Sequence, residues 1–586
     1  MAAHQTSSSI PGLRNLGASA VALFCFLSPA LAQAPGAINP GVQLQEQLRE
    51  ASPAPPSYES DAPGAIKESS PAKDAPAADN SSEQLIFFKA VRFKGNTAIR
   101  EGLLVRPFLN LIGEEVSFAQ IRQAAQESEA LYKKEGYITT RVVIPPQDFA
   151  SGNLVVQVVE GFIQSVSVRG ATPGLQQYLK KMLQPVVSPG GTKVFNFKTL
   201  ERQLLLVRNF GGVKFNTSLS KGSELGASNL TVDLSTDSVK GSIGANNNLP
   251  TQLGSWQTSA SAQYTVPASQ PVKITGAGSY SLPFNGGLVT GLAALTTPIG
   301  NKGFNADAFW ATSSTSSKDL FDGPGKLQTV GSSNYWSFGM SYPLLLQRNS
   351  QLSLAIRGTG QNSTNDLYLD GFQITDLSTD KIRALRLILD GYYASARSTN
   401  VFSFQLSQGL GGLNDGLASD EFLSNPFGES NFTSARLNLS RTQRLFDFGT
   451  QLTLKGVGQL SSTPLPVPEA FTYGGPQYGR AFKSVYILGD QGWAASAELA
   501  QPIQLSMLKK PVTLSPFIWY DYGNTDYKKG PLPNQTASTY GLGLRGNGFY
   551  STTFEVGWGI PATNTLQSAL TGIDSSIVYF NAGWRF

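Results

Sequence analysis

The chain has 586 residues, of which 60 are glycine and 10% are aromatic, whereas charged residues make up only 15%. This length implies at least two folding units, and a net charge of +5 is too small to indicate a nucleic-acid-binding surface. Low charge and many glycines and aromatics, without a long apolar run, favour a membrane β-barrel over a soluble enzyme. An extracellular array of β-sandwiches is the alternative.

The N-terminus predicts a secretory signal peptide at residues 1–32. Arg14 precedes a short apolar stretch from Leu16 to Leu27, and a small-residue cleavage site ends at Ala32. The stretch is too short to span a bilayer, which takes about 20 residues, and its layout is that of a removable signal. No other segment qualifies as a membrane helix, so a membrane-embedded mature chain must be a closed barrel.

The only cysteine and the only histidine, Cys25 and His4, both lie in this predicted signal. We therefore expect the mature chain to have no disulfide, no Cys/His metal site and no Ser-His-Asp or Cys-His catalytic group. The sequence also contains no nucleophile elbow and no Walker-type phosphate loop. These absences predict no catalytic residue, no metal and no cofactor, and they argue against an enzyme.

Residues 33–84 are rich in proline, alanine and serine, a composition that predicts an extended linker. One short helix is expected within it, at about 39–51. Asn39 suits the cap of this helix and Pro40 suits its first position. Two leucines share one face of the helix, namely Leu44 and Leu48. The residues leave open whether this helix is transient or docks onto another part of the protein.

Residues 85–161 and 162–236 predict two small α+β units in tandem. In the first, a helix begins at a capping box that starts with Ser117 and ends at Gly136, which suits a left-handed cap. Both units follow the order strand, helix, helix, strand, strand, which makes an internal repeat of roughly 75 residues. The expected strands are 87–93, 140–144, 153–159, 163–168, 213–219 and 229–234, and the second unit's helices are 174–183 and 196–209.

Residues 237–586 predict a transmembrane β-barrel of about 16 antiparallel strands. Segments of about 10 residues here alternate apolar with small or polar side chains, as suits lipid outside and water inside. The last segment is the clearest, since one of its faces is wholly apolar: Val578, Phe580, Ala582, Trp584 and Phe586. A barrel of this size has a water-filled lumen unless something occupies it.

Two segments in the last third are candidates for the functional site. The first is a long glycine-rich connection at about 463–488, with four motif residues: Tyr478, Gly479, Arg480 and Phe482. The second is the strand 512–523, whose alternation places four residues on the lumen wall: Phe517, Trp519, Asp521 and Gly523. The same parity directs Ser496 and Glu498 of the preceding strand inward. From the residues alone, Arg480 could also be a solvated loop residue.

The whole mature chain resembles the TpsB transporters, the barrel components of two-partner (type V) secretion, which are related to the haemolysin and filamentous-haemagglutinin secretion proteins. In the first α+β unit the resemblance lies in residues 136–141, 144–148 and 159–161. In the barrel it lies in the strand motif F-x-x-x-D-x-G, present as Phe517, Asp521 and Gly523. The family's loop motif, V-R-G-F/Y, is a variant here, because Gly479 precedes the arginine and Ala481 follows it.

The resemblance implies a plug helix, a linker, two POTRA domains and a 16-stranded barrel, with Arg480 paired to Asp521. Glu498 is a candidate second acceptor, because a guanidinium fork can satisfy more than one carboxylate oxygen. The plug helix with Leu44 and Leu48, together with the Arg480 loop, would then obstruct the lumen at rest.

The function implied by the resemblance is export of one large exoprotein (TpsA-like), unfolded in transit, from the periplasm to the cell surface. The barrel would lie in outer-membrane lipid with its POTRA domains in the periplasm, and no nucleotide, cofactor or nucleic acid would be needed. Three alternatives stay open: an assembly factor of the same superfamily, a passive porin or receptor barrel, and an exported enzyme.

Overall fold

A computed structural model describes residues 38–50, 67–68, 85–170, 172–209, 213–236, 239–282, 287–317, 326–411, 423–507, 510–530, 533–565 and 576–586. The predicted signal peptide at 1–32 lies outside the described residues, as do most of the linker and the boundary at 237–238. The described residues of the linker form a helix, α1, at Pro40–Glu50, and a two-residue strand, β1, at Lys67–Glu68.

The first α+β unit contains five strands and two α-helices. The strands are β2 Ile86–Phe87, β3 Ala90–Lys94, β4 Glu115–Val116, β5 Arg141–Val143 and β6 Asn153–Val159. The helices are α2 Glu101–Leu104 and α3 Phe118–Lys134, with a 3-10 helix at Arg106–Leu111. A sheet of order β3-β6-β5 packs against α3 around a core that includes Phe108, Ile121 and Val156.

The local signals in this unit are mostly confirmed. Ser117 and Gln120 form a reciprocal capping box at the start of α3, and Gly136 adopts a positive φ of 97° just after its end. The single strand expected at 87–93 was wrong, because the chain leaves the sheet at Phe88. The main chain of Phe88 instead bonds to Glu114 and Gly113, and its ring is buried against Phe108.

The second α+β unit follows directly. Its strands are β7 Phe162–Arg169, β8 Val213–Lys221 and β9 Ala227–Thr236, and its helices are α4 Pro173–Leu183 and α5 Phe197–Asn209, with a 3-10 helix at Gln184–Val186. The sheet order is β1-β8-β9-β7, so the linker strand β1 lies parallel to the edge of β8. Both helices pack onto the sheet through a shared core that includes Leu179, Leu200 and Leu230.

The remaining chain forms a closed antiparallel barrel. The strands of the barrel wall are β10 Val239–Asn246, β11 Trp256–Val266, β12 Val272–Leu282, β13 Leu288–Ile299, β14 Phe304–Ser316, β15 Leu327–Gln347, β16 Ser350–Leu369, β17 Phe372–Ala394, β18 Ser398–Gly409, β19 Thr433–Arg444, β20 Gln451–Ser461, β23 Gln491–Ala500, β24 Ile503–Met507, β25 Lys510–Asp526, β26 Gln535–Asn547, β27 Thr552–Asn564 and β28 Ile577–Arg585. Two short strands between β20 and β23 are not part of the wall and form a separate two-stranded sheet: β21 Phe471–Tyr473 and β22 Ile487–Gly489. The described parts of the connections include 3-10 helices at Thr251–Leu253 and Val467–Glu469 and a kinked turn at Phe549–Ser551.

The wall contains sixteen strands, because β23 and β24 are two parts of one strand. Both pair with β25 in one continuous register, Ala500 opposite Phe517 and Ile503 opposite Leu514. The last strand β28 pairs with the first strand β10, which closes the cylinder. The predicted barrel is therefore confirmed.

The predicted strand length of about 10 residues was wrong for three neighbouring strands. β15, β16 and β17 have 21, 20 and 23 residues. β15 extends past β14 by residues 342–347, and β17 extends past β18 by residues 372–383 at the opposite end. Along the wall strands, side chains alternate between the two faces as expected. On β25, Ile518 and Tyr520 are exposed on the outer face, whereas Phe517 and Trp519 are buried. Among the described residues, no helix is both long and apolar enough to cross a bilayer.

The second α+β unit lies against the barrel end at which β10 begins. Thr172 Oγ1 donates to the carbonyl of Pro267 at 2.5 Å, and Arg202 Nη2 donates to the carbonyl of Pro343 at 2.9 Å. A cavity of about 270 Å³ lies between this unit and the barrel, lined by Tyr178, Met182 and barrel residues that include Arg357. The second α+β unit therefore stands at one mouth of the lumen.

Candidate functional site

The long connection from β20 to β23, residues 462–490, folds into the lumen; we call it the inward loop. Its 3-10 helix Val467–Glu469 is followed by β21, which pairs with β22 as a short hairpin. The hairpin's side chains pack with wall residues in one buried cluster: Val457, Phe471, Tyr473, Phe482, Ile487, Ala494 and Ala537. The loop therefore packs as tightly as a protein core.

Arg480, near the tip of this loop, is surrounded by acceptors from the wall. Its Nε and Nη2 lie 3.1 and 3.0 Å from the two carboxylate oxygens of Asp521. Its Nη1 lies 2.5 Å from Glu498 Oε2, and its Nη2 donates to Ser496 Oγ at 3.2 Å. The guanidinium also stacks over Trp519, 4.6 Å from the ring centre. Four of the six wall residues that we placed on the lumen side thus touch Arg480. Of the other two, Gly523 lies against the ring of Tyr473 and Phe517 lies beneath the guanidinium of Arg545.

Asp521 binds the loop through the main chain as well. Its Oδ2 accepts the backbone N–H groups of Gly479 and Arg480, each at 3.1 Å. Asp521 is fully buried and Arg480 is 4% exposed. Ion pairs without access to water depend on complete hydrogen bonding, and here the side-chain and main-chain donors together supply it.

The variant loop motif fits its surroundings. Gly479 has φ = 81°, a conformation that strains a β-branched residue such as the family's valine. A Cβ on Gly479 would also lie 2.7 Å from the Tyr473 ring. Ala481 lies against Gly559 of β27, where a wall side chain would collide with it. The ring of Phe482 stacks on Tyr486 with 4.0 Å between ring centres.

Sequence reasoning missed the continuation of this ion-pair network. Arg545 of β26 donates to Glu498 Oε1 at 3.1 Å and to Glu555 Oε2 at 2.7 Å, and Tyr579 donates to Glu555 at 3.1 Å. Glu498 is therefore shared by two arginines. The signal was available, because Arg545 and Glu555 are charged residues at lumen-facing positions of β26 and β27, where the neighbouring lumen-facing positions 541, 543, 557 and 559 are glycines.

Helix α1 is docked, and it lies in the same lumen. The side chain of Asn39 accepts the N–H groups of Gly41 and Val42, at 2.8 and 3.3 Å, and so caps the helix. Ser313 Oγ of β14 donates to the Pro40 carbonyl at 2.7 Å, and Gln45 donates to Gln361 of β16 at 2.8 Å.

The loop and the helix also contact each other. Thr472 Oγ1 of β21 donates to Glu46 at 2.5 Å, and Arg49 donates to the same hydroxyl oxygen at 3.1 Å. Leu44 is 1% exposed, whereas Leu48 is only partly buried. Two glutamines of the helix, which the sequence analysis did not single out, contact the wall: Gln45 binds Gln361 and Gln47 binds Gln257. The lumen is thus filled by two elements that contact both the wall and each other.

Glu160, in the first unit, shows why the 159–161 segment matters for the fold. Its carboxylate accepts the N–H groups of Thr97 and Ala98, at 2.7 and 2.8 Å, and the Tyr132 hydroxyl at 2.9 Å. Burial and this carboxylate raise the pKa of Tyr132 above its ordinary value. Within the described residues, no group of three or more His, Cys, Asp or Glu side chains could hold a metal ion.

Comparison with known proteins identifies two parts of the chain. Residues 86–161 match the ShlB-type POTRA domain, and residues 226–546, more than half of the chain, match the haemolysin secretion/activation protein family ShlB/FhaC/HecB. The heme/hemopexin transporter protein HuxB of Haemophilus influenzae is 23% identical over 126 residues, which is 21% of this chain and 22% of that protein. The chain thus spans about a fifth of that relative's length.

Other relatives match over most of their length. The outer membrane transporter CdiB of Escherichia coli is 23% identical over 486 residues, 82% of this chain and 79% of CdiB. The solved structure of CdiB from Escherichia coli covers 96% of this chain and 99% of its own at a TM-score of 0.70 and 18% identity. CdiB from Acinetobacter baumannii covers 99% and 100% at a TM-score of 0.62 and 14% identity. These structures share the fold. The chain therefore belongs to the haemolysin secretion/activation protein family ShlB/FhaC/HecB, and it is an outer-membrane β-barrel whose POTRA region lies in the periplasm.

Proposed function

We propose that this protein is the transporter of a two-partner secretion pair. It captures one large exoprotein (TpsA-like) in the periplasm through its α+β units and passes it, unfolded, through the barrel to the cell surface. The role is transport rather than catalysis, and it uses no nucleotide and no cofactor. Residues 85–161 and 162–236 would be its two POTRA domains.

The observation that carries this proposal is the way in which the lumen is closed. A sixteen-stranded wall encloses a lumen wide enough for an aqueous channel, yet α1 and the inward loop fill it. Neither element belongs to the wall, and both are held by side-chain contacts that can break and re-form. A passive porin needs no such removable obstruction, whereas a protein-conducting pore needs one to avoid leakage between uses.

The α+β units offer a physical means of capture. The three-stranded sheet of the first unit leaves β3 and β5 as edges, and an edge strand can accept an extended chain by main-chain hydrogen bonding. An unfolded substrate presents such segments repeatedly. A substrate that binds more tightly to the unobstructed state would shift the population toward it. Folding of the exported chain outside the cell would disfavour its return.

The names of the relatives support transport as the class of function. CdiB is an outer membrane transporter and HuxB a heme/hemopexin transporter protein. The names support transport alone; the secreted protein partner rests on the closed lumen and on the α+β units.

The test is co-expression with a large secreted protein encoded beside this gene, followed by measurement of its release. Arg480→Ala and Asp521→Ala should each reduce release strongly, while heat-modifiable migration on gels shows that the barrel still assembles. Full release by both variants would contradict a role for the loop contact. Uptake of small solutes without protein release would indicate a porin, and loss of other outer-membrane proteins on deletion of the gene would indicate an assembly factor.

A further inference from the structure

A second buried ion pair joins the inward loop to the wall, far from Arg480. Arg386 of β17 and Glu469 of the 3-10 helix meet through both ends of the guanidinium fork, with Nη2 to Oε1 at 2.5 Å and Nη1 to Oε2 at 3.1 Å. Both residues are buried, at 7% and 9% exposure. The remaining donors of Arg386 bind Thr359 Oγ1 at 3.1 Å and Ser407 Oγ at 3.0 Å. Such a bidentate pair fixes direction as well as distance.

The residues beside Glu469 form one side of the seat of α1. Val42 of the helix packs in a buried cluster with Val467 and Ala470 of the loop. Gly41 lies so close to Pro468 that an added Cβ would be 2.7 Å from its ring. On the other side, α1 contacts β14, β15 and β16. The helix is thus held between those three strands and the turn that Arg386 holds in place.

The two loop anchors are separate in space and in what they hold. β17 and β25 lie five strands apart around the wall. Arg480 and Asp521 fix the tip of the loop, whereas Arg386 and Glu469 fix its first turn. That turn packs on the apolar face of α1 that contains Val42, in one cluster with Val485 and Leu488 from the returning arm of the loop.

We infer that Arg386 and Glu469 are positioning residues that keep α1 in the lumen. The pair holds the turn 467–469 against the helix, so breaking it loosens the seat while the Arg480 contact stays intact. This inference deepens the proposed function, since it names the contact that controls the resting obstruction. It concerns the obstruction itself, which can be measured without any substrate.

The experiment uses the full-length protein in planar bilayers, without substrate. Glu469→Gln and Arg386→Gln each leave one charge buried without its partner, a large penalty. We expect each to raise the frequency of open-pore events by at least about tenfold. The double variant Arg386→Glu with Glu469→Arg restores the pair and should return the frequency close to wild type. Arg397→Gln is the matched control, because its pair with Asp447 is 70% and 96% exposed.

A second readout follows the helix directly. A cysteine at Gln47 should react faster with a maleimide in Glu469→Gln than in the wild-type background, and at the wild-type rate in the reversed pair. Heat-modifiable migration shows assembly, and Glu469→Gln, which changes the loop only, is decisive if Arg386→Gln fails to assemble. Unchanged conductance and labelling in an assembled Glu469→Gln protein would overturn the inference, as would a reversed pair that behaves like the single variants.

The two proposals can fail separately. A protein whose helix is released by Glu469→Gln but which exports nothing would support the anchor and contradict the transport role. A protein that exports its partner while Glu469→Gln leaves α1 in place would contradict the anchor alone.

Discussion

Gly523 lies directly beneath the ring of Tyr473, so that the inward loop rests on a point of the wall that has no side chain. A Cβ at position 523 would lie 2.5 Å from Tyr473 Cγ and closer still to a neighbouring ring atom. The glycine of the F-x-x-x-D-x-G motif thus has a steric role, two residues from the aspartate that binds the loop. Together the two residues define where the hairpin can sit.

Gly523→Ala is expected to displace the hairpin from the wall. Strand propensity alone predicts that the alanine variant is more stable, since glycine destabilises a strand by about 0.5–1 kcal/mol relative to alanine. Overpacking against a buried ring typically costs about 1–3 kcal/mol, so the collision should win. We expect more open-pore events in planar bilayers and reduced release of the exoprotein.

Gly276→Ala is the matched control for this variant. Gly276 is also a glycine within a barrel strand, but an added Cβ there would have no heavy atom within 4 Å. It should behave as wild type in both assays. Wild-type conductance in Gly523→Ala would show that the hairpin accommodates the methyl group and that the glycine is not required for seating the loop.

Asp521→Asn is expected to weaken loop binding more than Glu498→Gln. Asp521 accepts four hydrogen bonds from the loop, two of them from main-chain N–H groups, whereas Glu498 accepts one. Removing one partner of a desolvated pair costs about 3–5 kcal/mol, and Glu498→Gln leaves Asp521 to hold the arginine. The two variants can be compared by the rate at which a maleimide labels a cysteine placed at Gln477, near the loop tip. We expect faster labelling in Asp521→Asn than in Glu498→Gln. Equal rates in the two variants, or the reverse order, would contradict this assignment.

The parts of the site that could be predicted were those fixed by strand parity. Alternation along β25 is enough to direct Asp521 and Trp519 inward, because neighbouring side chains in a strand must face opposite sides. It cannot say which loop residue arrives at them, because the path of a long loop depends on contacts distant in sequence. The pair of Arg386 and Glu469 was missed for this reason. Neither residue belongs to a local motif, and 83 positions separate them.

In the fold, too, local features were predicted correctly and features that depend on distant contacts were not. Capping by Ser117 and the left-handed Gly136 are local effects, so sequence reasoning placed α3 well. The break at Phe88 and the extra length of β15 to β17 depend on pairing with other segments, and local alternation carries no information about them. Helix α1 was predicted from its Asn-Pro start, but the sequence left open whether it docks. In the structure it is held both by glutamine contacts with the wall and by burial of Val42 and Leu44, and neither set of partners is near the helix in sequence.

Glu129 should make the first α+β unit sensitive to acid. Burial alone raises the pKa of this carboxyl group, but hydrogen bonds from Lys133, the Val142 N–H and Arg141 outweigh it, so the pKa is lowered. A lowered folded-state pKa means that the stabilisation is complete above the unfolded value of about 4.3 and is lost as the pH falls through the folded value. Protection of β5 amides from hydrogen exchange should therefore differ between wild type and Glu129→Gln at neutral pH, and the difference should vanish in acid.

Glu127→Gln provides the comparison, because Glu127 lies on the same helix and, among the described residues, accepts an exposed hydrogen bond from Gln123. It should leave β5 protection unchanged at every pH. In acid, the protection of β5 amides in the wild type should fall toward the protection seen in Glu129→Gln. If it does not fall, the Glu129 contacts do not stabilise this unit.

Gly41→Ala separates the intrinsic stability of α1 from its fit in the lumen. Alanine favours a helix over glycine by about 1 kcal/mol, so an isolated α1 would become more stable. In the protein, the added methyl group would lie 2.7 Å from both Pro468 Cγ and Ser363 Oγ, one on the loop and one on the wall. Because the methyl group would collide with the loop on one side and the wall on the other, we expect the helix to leave the lumen more often. Planar-bilayer recordings would then show more open-pore events than in the wild type. Fewer open events than wild type would mean that helix propensity, rather than the seat between Pro468 and the wall, limits how long α1 stays in the lumen.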